Sequence, residues 1–333
     1  MNYLILGAGA IGCYLGGRLA AAGEQVTLIG RKKIIDTIGR DGLTVTDLDG
    51  FKAQVHPDKM RLATTLDTDM FTSPTLVMLC VKGGGTVAAI QELATVCPAH
   101  TMVLSMQNGV DNVARIATAA PQLTAVAGMV PFNVVMLKPN HVHRGTTGPL
   151  QLGRDPTTEQ IQPALIAAGL PVELSNDMRS IQWGKLLLNL NNPVNALSDM
   201  PLRAQLMNRD YRRVVAAMQL EALAAMKAAD IHPAKVATAP PHALPYILRL
   251  PNWLFTRVAA RMLRMDENAR SSMWDDVQHG RTTEIDDLCG AAVRLAAQFG
   301  MPAPVNTKMC ALLTSHLAGQ RMSGPELLRA TGL

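Results

Sequence analysis

The sequence predicts an α/β protein in which an N-terminal doubly wound parallel β-sheet is followed by a C-terminal all-helical domain. Short apolar runs alternate with helical segments in the first third of the chain, which is the rhythm of βαβ units with right-handed crossovers. Strand signals then cease after about residue 178. A chain of 333 residues is long enough for two domains, which we place at residues 1–177 and 178–333.

The N-terminal domain is predicted to hold buried parallel strands, because its apolar runs are short, aliphatic and bounded by glycine or polar turns. These strands are Tyr3–Leu6, Val26–Ile29, Leu76–Val81 and Met102–Ser105, with helices over Ala10–Ala22 and Val87–Val96. Residues 133–153 predict antiparallel strands that close the domain, followed by a helix over Thr157–Ala168 and a strand over Pro171–Leu174.

The C-terminal domain is predicted from helical periodicity alone. Its helices are Trp183–Leu197, Asp210–Ala229, Trp253–Met265, Glu284–Phe299 and Asn306–Gln320. The Trp253–Met265 segment carries three arginines and no acid. It predicts a packing helix or a subunit contact in a homodimer, in preference to a membrane-surface helix.

Composition indicates a packed globular protein, since 48% of the residues are hydrophobic and only 17% are charged. The uncharged stretch Ile116–Leu137 contains Pro121 and Pro131, so we interpret it as buried strand and loop and not as a membrane span. The N-terminus has no basic region before its apolar run, which argues against a secretory signal. Five cysteines without a CxxC pair indicate the reduced thiols of a cytoplasmic protein.

The charge distribution and the spacing of the histidines limit the classes of ligand that the sequence predicts. Residues 178–333 hold 18 Lys and Arg against 12 Asp and Glu, whereas residues 1–177 hold 13 against 14. The chain has no long basic run of the kind that would predict nucleic-acid binding. A modest positive field over a cleft would instead favour an anionic substrate. His141 and His143 lack a third ligand at suitable spacing, so we predict a solvated hairpin and no metal site.

A glycine-rich turn between the first strand and the first helix predicts a dinucleotide site. The first glycine permits the tight turn, the second lets the backbone approach a pyrophosphate, and the third lets helix and strand pack closely. In this context the pattern GxGxxG is the fingerprint of a Rossmann domain. Its residues are Gly7, Ala8, Gly9, Ala10, Ile11 and Gly12.

The end of the second strand distinguishes NAD from NADP. An NAD enzyme usually places an acid there to bind the ribose 2′-hydroxyl, but here Arg31, Lys32 and Lys33 follow Gly30. A guanidinium can pair with a 2′-phosphate, which an acid would repel. We therefore predict NADP(H), with Arg31 as the main anchor and one of the two lysines assisting; a solvated basic turn is the alternative for the lysines.

Hydride reduction of a ketone leaves an alkoxide, so the site needs a proton donor or a cation near that oxygen. Lys82 and Asn108 follow strands at the edge where open α/β sheets bind ligands. Gln107 is equally well explained by ordinary turn chemistry.

The helical half offers further groups. Lys185 and Asn189 are four residues apart and share one face of a leucine-rich helix. A lysine there either lines a cleft or extends to the surface. Taken alone, Glu284 fits a helix start with acids in its first turn.

Over nearly its whole length the chain resembles the ketopantoate reductase (2-dehydropantoate 2-reductase) family. The motifs that carry the resemblance are, in order, Gly7–Gly12, Arg31, Val81-Lys82, Gln107-Asn108-Gly109, Lys185 with Asn189, Ser271-Ser272-Met273 and Thr283-Glu284-Ile285-Asp286.

The resemblance implies NADPH-dependent reduction of 2-dehydropantoate to pantoate, a precursor of pantothenate and coenzyme A. It implies that Lys185 is the general acid and that Glu284 binds the substrate hydroxyl and influences the protonation of the lysine. The keto acid would be oriented by Asn108, Asn189 and Ser272, and the cofactor would be contacted by Arg31, Lys82 and Asn108.

Two departures from the family pattern concern the substrate. Lys82 is followed by Gly83-Gly84-Gly85, where the family often has a glutamine at the third position, and Pro193 occupies the place of a second asparagine. A proline there starts or kinks a helical turn, and Asn192 is expected to take the asparagine's role. Reduction of another small 2-keto acid is thus an alternative, and a non-catalytic NADP-sensing protein is another.

Overall fold

The computed structural model of the protein describes residues 1–236, 239–260, 262–263 and 267–333. The chain divides into two compact units, Met1–Met178 and Arg179–Leu333. The first contains both β-sheets, and the described residues of the second contain helices and no strand. The predicted α/β fold class with a helical C-terminal domain is therefore confirmed.

The first unit contains twelve strands and five helices, named in chain order. The strands are β1 Asn2–Leu6, β2 Gln25–Ile29, β3 Leu43–Asp47, β4 Lys52–Val55, β5 Arg61–Ala63, β6 Thr75–Leu79, β7 Met102–Ser105, β8 Thr124–Met129, β9 Val134–Lys138, β10 His141–Arg144, β11 Leu150–Gly153 and β12 Val172–Ser175. The helices are α1 Ala10–Ala21, α2 Lys32–Asp41, α3 Thr86–Ala94, α4 Asn112–Ala119 and α5 Pro156–Ala167.

The main sheet has eight strands in the order β12-β11-β8-β7-β6-β1-β2-β5. The strands from β8 to β5 are parallel to their neighbours, whereas β11 runs antiparallel to β8. The chain passes from β1 to β2 on one side and returns to β6 on the other, so the topological switch point lies at the carboxyl end of β1.

Helices cover both faces of this sheet, as the alternation of side chains along β1 shows. Tyr3 and Ile5 pack into the apolar core on one face, and Leu4 and Leu6 pack into the core on the other. A parallel sheet that is buried on both sides reads as a continuous apolar run, which is why its strands could be predicted.

The predicted arrangement of residues 133–153 is partly wrong. The strands β9 and β10 do pair antiparallel, but they belong to a second sheet with the order β4-β3-β10-β9 and do not close the main one. In that sheet β10 pairs in parallel with β3, some hundred residues earlier in the chain. Only β11, at the end of the range, joins the main sheet.

A buried ionic cluster ties the second sheet to α1. The Asp47 carboxylate accepts hydrogen bonds from Arg18 Nη1 at 2.9 Å and from Arg144 Nη2 at 3.1 Å. Arg144 Nε also donates to the Tyr14 hydroxyl at 2.8 Å. Burial opposes ionisation of Asp47, but hydrogen bonds from the Phe51 backbone N–H and from Arg144 outweigh it and lower the pKa of Asp47.

The second unit is built from ten helices in its described residues. They are α6 Met178–Asn189, α7 Asn191–Ser198, α8 Leu202–Met207, α9 Arg209–Ala228, α10 Leu244–Arg249, α11 Asn252–Val258, α12 Ser272–Gln278, α13 Ala291–Gln298, α14 Pro304–Thr314 and α15 Gly324–Thr331; a π-helical turn, Asp286–Gly290, precedes α13.

The prediction of one helix over Trp183–Leu197 is wrong, because the chain breaks at Leu190 and continues as α7. Pro193 lies in the first turn of α7, where its missing N–H costs nothing. The predicted helix ending at Gln320 stops at Thr314. Of the predicted Trp253–Met265 helix, α11 ends at Val258, and residues 261 and 264–266 lie outside the described residues.

The described part of that segment packs on the unit through one face. Phe255 is fully buried, whereas Trp253 is exposed. The buried Arg212 of α9 donates hydrogen bonds to the carbonyls of Leu248 and Leu250 at 2.8 and 2.9 Å, and its guanidinium lies 3.9 Å from the Phe255 ring centroid. These contacts hold α10 and α11 against α9.

In the described ranges, no helix has both the length and the apolar character needed to cross a bilayer. The uncharged stretch Ile116–Leu137 contains the end of α4, all of β8 and most of β9. The predicted strand is present as β8 and β9, but the first residues of the stretch are helical. Only the end of β8 is buried, and β9 is half-buried to exposed.

Candidate active site

The predicted dinucleotide residues lie along one edge of the main sheet. The strands β2, β1, β6 and β7 are adjacent and parallel, so their carboxyl ends meet at the same edge. Arg31 follows β2, the Gly7–Gly12 turn follows β1, Lys82 follows β6, and Asn108 follows β7. With strands about 4.8 Å apart, these groups line an edge long enough for a dinucleotide.

The geometry of the glycine turn fits a dinucleotide. Gly7 has a φ of +121°, and a Cβ there would lie 2.7 Å from the carbonyl carbon of Cys80. A Cβ on Gly12 would lie 2.1 Å from the Gly7 carbonyl oxygen, whereas a Cβ on Gly9 would meet nothing within 4 Å. Gly9 also begins α1 without a side-chain cap, so open space adjoins the N–H groups of the helix start, where phosphates bind.

Arg31 lies beside this turn. The backbone N–H groups of Gly7 and Ala8 both donate to the Ile29 carbonyl, at 3.0 and 2.8 Å, which fixes the end of β2 against the turn. Arg31 follows two residues later as the exposed N-cap of α2. The Lys32 ammonium instead contacts the Asp36 carboxylate at 2.9 Å. Of the two lysines, Lys33 is therefore the more available to a cofactor phosphate.

Gln107 is a structural residue that connects the ends of β6 and β7. Its side-chain amide donates to the Val81 carbonyl at 2.8 Å and to the Thr86 hydroxyl at 2.7 Å, and it accepts a hydrogen bond from Ser105 at 2.9 Å. This buried amide holds the turns that carry Lys82 and Asn108. The turn-chemistry interpretation of Gln107 is therefore confirmed, while the half-buried Asn108 remains a candidate site residue.

Lys185 lies on α6 directly after Gly184, where another segment of the chain packs closely against the helix. A Cβ on Gly184 would lie 2.3 Å from the Ala234 carbonyl oxygen, and the Ala234 N–H donates to the Ser180 carbonyl at 2.9 Å. The segment after α9 thus packs on the helix at the residue beside Lys185. Trp183, two residues before Lys185, is buried in the unit.

The structure places Lys185 and Glu284 close enough for their charges to interact. Burial lowers the pKa of Lys185 from 10.5 to about 8, and attraction to the Glu284 carboxylate offsets part of that effect. Both side chains are half-buried, and Glu284 lies just before the π-helical turn. An ammonium with such a pKa can give up its proton near neutral pH.

The remaining predicted groups of the second unit are polar side chains of α6, α7 and α12. Asn189 and Asn192 are half-buried, and Ser272 is exposed at the start of α12. Ser271 joins two of these helices, because its hydroxyl donates to the Asn192 carbonyl at 3.3 Å. Asn192 and Ser272 are thereby held near each other. The second unit therefore contains two pairs of neighbouring candidate residues, Lys185 with Glu284 and Asn192 with Ser272.

Sequence reasoning named Ser271 only as part of a motif and missed its partner Asn195, whose side-chain oxygen accepts the Ser271 N–H at 2.9 Å. Their contact spans 76 residues of chain, and no local pattern reports such a pairing. The one available signal was an asparagine inside the apolar run of α7, since a buried amide requires partners.

The His-x-His pair of β10 contacts a hydroxyl. Thr46 Oγ1 lies 3.1 Å from His141 Nε2 and 2.9 Å from His143 Nδ1. Among the residues that the structure describes, no group of three histidine, cysteine or acidic side chains could hold a metal ion.

Comparison with known proteins agrees with this arrangement of two units. The family described as ketopantoate reductase PanE/ApbA matches residues 3–156, and its C-terminal domain family matches residues 177–316. The chain belongs to the ketopantoate reductase family. Its membership covers both units, and it identifies the protein as a relative of oxidoreductases that act on a keto acid.

Individual ketopantoate reductases match along almost the whole chain. The 2-dehydropantoate 2-reductase of Pyrococcus horikoshii is 28% identical over 319 residues, which are 94% of this chain and 96% of the relative. That of Halobacterium salinarum is 26% identical over 312 residues, or 92% and 95% of the two chains.

Solved structures show the same fold. A PanE/ApbA family ketopantoate reductase from Ralstonia eutropha has a TM-score of 0.80 at 28% identity and covers 94% of this chain and 97% of its own. A D-mandelate dehydrogenase solved with NADH and anilino(oxo)acetate has a TM-score of 0.77 at 19% identity and covers 95% and 98%. The second likeness shows the fold alone.

Proposed function

We propose that the protein reduces 2-dehydropantoate to pantoate with NADPH, a step of pantothenate biosynthesis. The observation that carries the proposal is the pairing of Lys185, whose pKa burial lowers to about 8, with the Glu284 carboxylate. A half-buried lysine whose ammonium is attracted by a half-buried carboxylate suits proton transfer to a ketone oxygen. The names of the relatives supply the keto acid.

Lys185 would act as the proton donor. When hydride reaches the carbonyl carbon, the C=O π electrons move to oxygen, and the Lys185 ammonium gives that oxygen its proton and becomes a neutral amine. Glu284 would keep the lysine charged until then and would accept a hydrogen bond from the substrate hydroxyl. The lowered pKa assists the transfer, because a more acidic ammonium releases its proton more readily.

The carboxyl edge of the main sheet would hold NADPH, which when bound supplies the hydride. The N–H groups at the start of α1 would bind the pyrophosphate beside Gly9, where there is room for close approach. Arg31 would pair with the 2′-phosphate, and Lys82 and Asn108 would contact the cofactor from the neighbouring strand ends. These residues favour NADPH over NADH.

The keto acid would be oriented by amide and hydroxyl groups. Asn189, Asn192 and Ser272 have side chains with no hydrogen bond to another residue within the described parts of the chain. Their polar atoms are therefore available to a ligand. Asn108, from the N-terminal unit, would bind the substrate or the nicotinamide.

A steady-state assay tests the proposal. Purified protein should oxidise NADPH faster than NADH in the presence of 2-dehydropantoate, and Lys185→Ala should lose at least about a hundredfold in kcat, the size of a general-acid contribution. Circular dichroism controls for folding. Normal turnover by folded Lys185→Ala would refute the mechanism, and NADPH binding without turnover of any keto acid would favour a non-catalytic NADP-sensing protein.

A second candidate is reduction of another small 2-keto acid. Pro193 removes one side-chain amide from the expected substrate site, and the adjacent Asn192 is offset from that position by about 100° around the axis of α7. A panel of 2-keto acids with different C3 substituents separates the two candidates, since the physiological substrate should give the highest kcat/KM.

A further inference from the structure

Asn195 is a buried polar residue of α7, and both the oxygen and the nitrogen of its side-chain amide form hydrogen bonds. It is 0% exposed. Its oxygen accepts the backbone N–H of Ser271 at 2.9 Å, and its amide nitrogen donates to the Met200 carbonyl at 2.9 Å. One side chain therefore fixes the start of α12 and the turn after α7.

Ser271 also forms a side-chain hydrogen bond to α7. Its hydroxyl donates to the Asn192 carbonyl at 3.3 Å and accepts the Trp274 N–H at 3.1 Å as the N-cap of α12. Asn192 and Asn195 are three residues apart, about one helical turn. Asn195, Ser271 and Asn192 thus close a hydrogen-bonded ring, which we call the α7–α12 ring.

The ring lies next to two groups of the proposed substrate site. Ser272 directly follows Ser271, and Asn192 is itself a member of the ring. The ring consists of neutral, buried or half-buried groups, so water and salt compete with it little. It fixes the backbone of both residues while leaving the side chains of Asn192 and Ser272 free to bind a ligand.

We propose that Asn195 is a positioning residue for the keto acid, acting through Ser271 on Ser272 and Asn192. The inference rests on the proposed function. The effect of Asn195 falls on keto-acid binding, because its bonds go to α12 and to the turn after α7. Proton donation depends on Lys185 of α6, and dinucleotide binding depends on the N-terminal unit.

The test compares Asn195→Leu with Asn306→Leu. Asn306 is also 0% exposed and its amide donates to the Met218 carbonyl at 3.1 Å, but it joins α14 to α9. Asn195→Leu should raise KM for 2-dehydropantoate about 10- to 100-fold, as expected when binding groups shift by about 1 Å. Its KM for NADPH and its pH profile should stay as in the wild type, and Asn306→Leu should change neither KM.

Two further variants keep the inference testable if Asn195→Leu fails to fold. Asn195→Asp retains the acceptor for the Ser271 N–H and should recover most of the wild-type KM. Ser271→Ala opens the ring from the other side, so it should raise the same KM. Where the Asn195→Leu protein folds, Ser271→Ala combined with Asn195→Leu should raise this KM by less than the product of the two separate effects, because both changes act on one ring.

Several outcomes would overturn the inference. Wild-type keto-acid KM in both Asn195→Leu and Ser271→Ala would do so, and so would an equal rise in Asn306→Leu, which would indicate general destabilisation. Wild-type protein that turns over no 2-keto acid would overturn the proposed function and the inference together. Turnover by the wild type with no effect of the ring variants would overturn the inference alone.

Discussion

At the scale of single residues, the pKa of Lys185 determines how the proposed reaction responds to pH. The group acts in its protonated form, and burial places its pKa at about 8 where a lysine in water has 10.5. We expect kcat/KM for keto-acid reduction to be flat near neutral pH. Above pH 8 it should fall about tenfold per pH unit, as the ammonium is lost.

The Glu284 carboxylate raises the pKa of Lys185 and so holds this break at higher pH. Glu284→Gln removes that attraction, so the break should move to lower pH, whatever the loss in rate. The measurement is kcat/KM from pH 6 to 10, with Glu267→Gln, a change at an 83% exposed side chain, as control. If the kcat/KM of Glu284→Gln falls at the same pH as that of the wild type, Glu284 does not influence the protonation of Lys185.

Arg31 should determine cofactor preference. Arg31→Ala removes the proposed partner of the 2′-phosphate, and a charge-assisted hydrogen bond contributes roughly 1.5–3 kcal/mol. We expect KM for NADPH to rise about 10- to 100-fold while KM for NADH is unchanged. Lys138→Ala, at an exposed lysine of β9, should change either KM less than about threefold. Equal losses with both cofactors would contradict the role.

At the scale of elements, the crossing of Ala234 over α6 fixes the helix that carries Lys185. Gly184→Ala would place a methyl group 2.3 Å from the Ala234 carbonyl oxygen, and the backbone must separate to admit it. We expect a loss of about 1–3 kcal/mol in the free energy of unfolding, measured by urea denaturation.

Gly39→Ala is the matched control for that change. Gly39 lies inside α2, and a Cβ there would meet only Leu62 Cδ1 at 3.7 Å, an ordinary contact. Alanine is the better helix former, so this variant should gain up to about 1 kcal/mol. Similar losses in both variants would mean that the Gly184 contact has no special importance.

The elements that the sequence predicted are those whose pattern is local. Buried strands such as β7, Met102–Ser105, are continuous apolar runs and agree with the structure to the residue. The strands β3 and β4, with sequences LTVTD and KAQV, were missed, because polar residues interrupt them and their pairing depends on distant β10. The break at Leu190 was missed because the apolar periodicity runs through it.

The same division applies to the candidate site. Motif spacing identified the glycine turn, Arg31 and Lys185 as candidates, because the proposed chemistry would require those residue types at those points of the chain. Spacing could not reveal the long-range hydrogen bonds that hold the candidate site residues in position. Gln107 bonds to Val81 across 26 residues and Asn195 to Ser271 across 76, and only the fold brings such partners together.

At the scale of the whole molecule, charge is unevenly distributed between the two units. Residues 178–333 carry 18 Lys and Arg against 12 Asp and Glu. Such a field attracts an anionic keto acid, and salt screens it with a Debye length of about 8 Å at physiological ionic strength.

We expect kcat/KM for a 2-keto acid to fall severalfold between low and high NaCl concentration. The methyl ester of the same keto acid is uncharged and serves as control, since its kcat/KM should respond little. Equal salt dependence for acid and ester would show that the net charge of the molecule does not influence substrate capture.

The buried cluster around Asp47 makes the N-terminal unit sensitive to acid. Its lowered pKa means that the carboxylate stabilises the fold at neutral pH and ceases to do so as the pH falls through that pKa. Protonation would leave Arg18 and Arg144, whose guanidinium groups now share one oxygen of Asp47, as two cations confined together. Acidification should therefore release the smaller sheet from α1 before the helical half melts, an order that hydrogen exchange at low pH can record.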